Sequence, residues 1–121
     1  MAQLIELQHL TRHCNPFQGT RPWRTRVTRS AVQQALAENR LVGEPGTTDH
    51  AGRIAYLVKH PADDAISIDV GVPHLGCNVG WFVQDGNHRV AAALYRGESL
   101  IEAELSGSVD YLRELFGVEP D

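Results

Sequence analysis

Five consecutive residues, Asp85, Gly86, Asn87, His88 and Arg89, combine a carboxylate, an unhindered backbone, an imidazole and a guanidinium. They stand inside Trp81–Gly97, WFVQDGNHRVAAALYRG, whose pattern reads as a strand running straight into an alanine-rich helix. The first turn of a helix has backbone N–H groups without partners and a favourable dipole, so it attracts anions. Gly86 removes a side chain where a phosphate would approach, and Arg89 offers a forked cation near the same end. His88 can donate or take a proton, and Asp85 can hold a metal or a hydroxyl. The plainer alternative is that Asp85 and Asn87 are ordinary capping residues and Arg89 a surface charge.

The elements that must position these residues follow from periodicity. Leu4–Leu10, short and apolar, predicts an opening strand, and residues 11–26 a long loop rich in arginine, with Phe17 and Trp23. Val27–Leu41 predicts a helix with Thr28 as N-cap, a Val27–Val32 staple and Gly43 as terminator. His50–His60 predicts a second helix, capped by Thr48 or Asp49, with Ile54, Leu57 and Val58 as its stripe. Ile66–Val70 alternates as a strand, and Val79–Gln84 is expected as another strand inside the sheet. A helix over His88–Arg96 closes at Gly97. A strand over Leu100–Leu105, with Glu102 and Glu104 outward, and a helix over Ser108–Phe116 complete the chain. The expected fold class is α+β: one compact domain, residues 1–121, with a small mixed sheet and flanking helices.

The string Asp85-Gly86-Asn87-His88-Arg89, with the alanine-rich helix and strand after it, resembles the ParB/sulfiredoxin superfamily over about residues 79–105. The resemblance implies a nucleotide site. The corresponding loop contacts CTP phosphates in chromosome-partitioning ParB proteins and holds ATP in sulfiredoxins. In the free-serine kinases of this fold an Asp-Gly-x-His-Arg string lies beside the nucleotide phosphates. Gly86, Asn87, His88 and Arg89 are therefore expected to bind ATP or CTP, and Asp85 to hold Mg²⁺. Asp85, His88 and Arg89 would be the catalytic set of a phosphotransferase, NTPase or nuclease. Asn87 stands where sulfiredoxins carry their reactive cysteine, so sulfinic acid reduction is not expected. No helix-turn-helix follows this stretch, so the expectation is a single domain and not a whole partition protein. The kinases also use an acidic base from the N-terminal half; Glu38, Glu44 and Asp49 are available without a motif to choose between them.

Composition bounds the alternatives. The chain has 121 residues, 42% hydrophobic and 21% charged, with a formal charge of −4. That is an ordinary globular composition, neither disordered nor fibrous, and too acidic overall for a general coat on nucleic acid. No apolar run is long enough to span a membrane. Two cysteines and no signal-peptide pattern make a cytoplasmic protein the expectation. Charge is nonetheless segregated: residues 7–37 hold Arg12, Arg21, Arg24, Arg26 and Arg29 and no acid. Arg21, Arg24 and Arg26 are thus a candidate surface for nucleic acid or an acidic protein. On this reading the chain is a non-enzymatic accessory module of a plasmid, phage or defence system. The opposing expectation is that these arginines pair with the acidic remainder. His13-Cys14 and His74-x-x-Cys77 offer zinc-type ligands without finger-like spacing.

Overall fold

The computed structural model describes residues 2–118. Four strands form a mixed sheet: β1 (Gln3–Glu6), β2 (Ile66–Asp69), β5 (Val83–Asp85) and β6 (Leu100–Ser106), ordered β1-β6-β2-β5. Strand β6 runs antiparallel to β1 and parallel to β2, and β2 is antiparallel to β5. The helices are α1 (Leu7–Thr11), α2 (Arg29–Ala37), α3 (His50–Lys59), α4 (Asn87–Arg96) and α5 (Val109–Phe116). A separate hairpin pairs β3 (Gly71–Val72) with β4 (Cys77–Asn78). The expected α+β class is what the chain adopts. Among the described residues no helix is long and apolar enough to cross a membrane.

Helix α4 organises the core. Val90 and Ala93 pack with Ile5, Ile66, Ile68 and Ala103 of the sheet and with Leu112 of α5. Ala91 and Ala92 face the other way, onto Val32 and Ala35 of α2 and Ile54 and Leu57 of α3. The alanine run is therefore a packing requirement, because a helix buried on two sides needs short side chains on both. Leu94 touches both clusters.

Several expected boundaries shift, each for a physical reason. The opening strand stops at Glu6: Leu7 and Leu10, spaced for a helix face, bury at 2% and 0% exposure in α1. Thr28 does cap α2, its side chain accepting the Ala31 N–H at 3.1 Å. The helix ends well short of Leu41, with Asn39 at φ 54°, so Asn39 takes the terminating role expected of Gly43. Asp49 caps α3 through the Gly52 N–H at 3.0 Å, and Ser108 caps α5 through Tyr111.

The strand expected over Val79–Gln84 is only Val83–Asp85, and it lies on the sheet edge instead of inside. The preceding residues are held by other partners. The Gly80 carbonyl accepts from Arg21, and the Phe82 N–H is given to the buried Cys14 sulfur at 3.3 Å. The Trp81 indole N–H bonds Asn87.

Candidate functional site

Strand β5 delivers the chain to Gly86, the N-cap of α4, at φ 103° with no side chain capping the helix. A Cβ at Gly86 would overlap Ile66 and come within 3.1 Å of an Arg89 Nη2. The glycine is thus demanded by the left-handed backbone and by Ile66 packing. Asn87 is the first helical residue, not the cap. Its Oδ1 accepts from Trp81 Nε1 at 2.7 Å and its Nδ2 donates to the Val83 carbonyl at 3.2 Å. These bonds fix the angle at which the strand enters the helix.

Arg89 is a clamp. Nη1 donates to the carbonyls of Asp64 and Ala65 at 2.7 and 3.1 Å, and Nη2 donates to Asp85 Oδ2 at 3.0 Å. Its side chain is only 17% exposed, whereas that of Asp85 is 76% exposed. Of the five guanidinium N–H groups, the Nε–H and one on Nη2 remain for a ligand. Asp85 keeps most of its oxygen surface in solvent.

His88 has a partner that its sequence neighbourhood does not announce. Its Nε2 lies 3.0 Å from Nδ1 of His50, the first residue of α3. The two rings are nearly coplanar, 19° apart, with centroids at 5.2 Å, so they meet edge to edge through that hydrogen bond. Trp23, from the long loop, lies nearly parallel to both, 4.9 Å from His50 and 4.7 Å from His88. One indole therefore roofs a hydrogen-bonded imidazole pair. Burial, then the nearby His50 and the Arg53 charge, push the pKa of His88 down to about 4. Burial also lowers that of His50, partly opposed by Asp49. At neutral pH the pair is uncharged and shares one N–H across the contact.

Residues 85–89 open onto a groove of about 250 Å³ at the α4 start, walled by Arg53, Asp64, Asp85, His88 and Arg89. The groove joins an uncapped helix start, cationic side chains, a neutral imidazole and two carboxylates. The sequence-predicted set, Asp85 to Arg89, is brought together; Arg53, Asp64, His50 and Trp23 are additions. Of the acids considered as a base, Glu38 and Asp49 both pair with Arg40. That pairing and the Gly52 N–H hold the Asp49 carboxyl below its usual pKa. Glu44 is exposed and does not line the groove.

Among the described residues no group of three or more His, Cys, Asp or Glu side chains is placed to hold a metal ion, the two His–Cys pairs included. A Mg²⁺ ion needs fewer protein ligands than that, one or two carboxylates beside substrate phosphates. Asp85, its carboxylate held by the Arg89 fork but mostly in solvent, and Asp64, held by that fork through its backbone carbonyl, both line the groove and are the residues that would have to supply such carboxylates.

The arginine loop differs from the ion-paired expectation. Arg40, Arg89, Arg96 and Arg113 all meet carboxylates. Arg21 instead donates to the Gly80 carbonyl, and Arg29 to the Leu94 carbonyl while lying over Phe17. Arg12, Arg24 and Arg26 are exposed and have no ion pair among the described residues.

Comparison with protein-family models, curated proteins and solved structures finds no match.

Proposed function

We propose that the chain is a ParB/sulfiredoxin-like domain that binds ATP or CTP through its phosphates at the start of α4. The observation that carries this reading is the uncapped α4 N-terminus opening into a groove with Arg53 and Arg89 beside it. Free N–H groups and the helix dipole favour a phosphate there, and the cations add charge-assisted contacts. Asp85, with Asp64, would hold Mg²⁺, which when bound neutralises charge on the phosphates. His88, kept uncharged by burial and held through Nε2 by His50, would polarise an oxygen through its other ring nitrogen; with a pKa of about 4 it is a weak proton acceptor at neutral pH. Arg89 fixes Asp85 beside the groove and has two N–H groups left for phosphate oxygens. Phosphoryl transfer, NTP hydrolysis and phosphodiester cleavage all use these groups.

The test is thermal unfolding with ATP, CTP or GTP, each with Mg²⁺. A ligand at ~100 times its Kd stabilises the native state by about 2.7 kcal/mol, which is roughly 10 °C in a domain of this size. No shift with any nucleotide would rule the reading out.

A second reading treats the fold as a non-enzymatic binding module working through Arg21, Arg24 and Arg26. Its support is that Arg24 and Arg26 lack ion pairs among the described residues of an otherwise acidic protein.

A further inference from the structure

Arg12, one of the unpaired arginines, lines a second depression together with Arg21, distinct from the groove at α4, while Arg24 and Arg26 follow on the same loop. This depression measures about 260 Å³ and is lined by Arg12, His13, Asn15, Gln18, Arg21 and Trp81, among others, with no carboxylate in its wall. Trp81 forms one side of it and hydrogen-bonds Asn87, which lines the α4 groove. The two depressions are therefore neighbours across the Trp81–Asn87 pair.

We infer that the arginine loop and this depression bind single-stranded nucleic acid. The proposal deepens the binding-module reading by naming its partner and its site, and it stands whether or not a nucleotide occupies α4. Three observations carry it. Five arginines and no acid fall within residues 7–37, although the chain as a whole is acidic. Arg12, Arg24 and Arg26 are left exposed without carboxylate partners among the described residues while other arginines are paired. Arg12 and Arg21 both line one depression that has no carboxylate in its wall, and a polyanion offsets like charges gathered in this way.

The depression beside them supplies what a base needs: amide groups of Asn15 and Gln18 and the flat ring of His13. An acidic polypeptide would use the arginines but has no planar base for the concave wall. A duplex presents a rigid convex backbone, whereas a single strand can bend into two adjoining depressions.

The experiment is fluorescence anisotropy with a labelled oligothymidylate of roughly twelve nucleotides, within the span one small domain covers. The variant is Arg12→Gln/Arg24→Asn/Arg26→Gln; asparagine is chosen at position 24 because its φ of 61° disfavours other side chains. Circular dichroism confirms that the variant folds. Wild type should bind with an affinity that falls steeply as salt rises. The triple variant should bind at least tenfold more weakly, with the salt slope reduced by about 2, near 0.7 for each lost phosphate contact.

Failure to bind the oligonucleotide at low salt, or an unchanged affinity in the folded variant, would overturn the proposal. Binding a duplex of the same length as tightly would overturn the choice of a single strand. If polyglutamate binds through these arginines and the oligonucleotide does not, the partner is an acidic protein. In that case the binding-module reading survives and this inference fails; if neither polyanion binds, both fail.

Discussion

His50 Nδ1 and His88 Nε2 lie 3.0 Å apart, although the residues are separated by 38 positions and lie in the first turns of different helices. The contact ties the start of α3 to the start of α4, and Trp23 closes over it. It holds only while at least one imidazole has an unprotonated nitrogen at the contact. Two facing donors at this distance would repel.

That condition gives a pH dependence with a definite sign. His88 has a folded pKa of about 4, below the ~6.5 of an unfolded histidine. Between these values the unfolded chain binds more protons, so acid favours unfolding. Asp49 beside His50 and Arg53 near His88 are the charged neighbours that shape this response. Urea midpoints should be flat above pH 6.5 and fall progressively towards pH 4. His88→Gln should flatten much of that fall; an identical acid profile in the variant would show that the loss arises elsewhere.

Arg89→Ala should act first on stability. It removes the clamp on the Asp64 and Ala65 carbonyls and on Asp85, a loss of about 2–4 kcal/mol for charge-assisted bonds of a largely buried side chain. Arg89→Lys should recover part of this, since an ammonium cannot span the same fork. Urea unfolding of both variants checks the order. An Arg89→Ala protein as stable as wild type would contradict the clamp.

Asn87→Ala should destabilise by about 1–3 kcal/mol through the stranded Trp81 indole N–H, and not through a lost helix cap. Asn87→Asp keeps an acceptor for that indole and should recover most of the loss. Unfolding curves followed by tryptophan fluorescence distinguish the cases, because Trp81 loses its partner only in the alanine variant.

Leu94→Asp should destabilise the fold by several kcal/mol, about 3–5, because half-buried Leu94 packs against both hydrophobic clusters and a carboxylate there would lose those contacts, with only the exposed Arg29 guanidinium nearby to meet it. Urea unfolding followed by circular dichroism reports it directly. A variant as stable as wild type would contradict the central position of α4.

What could be read from the sequence was local. Asp85 to Arg89, the α3 cap at Asp49 and the strand of alternating Glu102 and Glu104 depend on neighbours within a turn or two. Trp23 over His50 and His88 depends on a long loop folding back, for which residue spacing contains no signal. His50 read simply as the first residue of a helix. Arg89 looked free because its partners at Asp64 and Ala65 are backbone carbonyls, which no side-chain pattern marks. The shortening of β5 has the same origin: Val79–Phe82 has strand composition, but Arg21 and Cys14 claim its backbone groups. The Gly71–Asn78 hairpin is too short to create a period.

The claim at the centre of this account is that the first N–H groups of α4 receive a nucleotide phosphate. Amide-resolved NMR during titration with ATP or CTP and Mg²⁺ tests it at the atoms concerned. The Asn87, His88 and Arg89 amide signals should move together and saturably, as expected for N–H groups that gain a charged acceptor. Those of Arg12, Arg24 and Arg26 should stay in place. Saturable binding that leaves the 87–89 amides unmoved, or no binding of either nucleotide, would contradict the account.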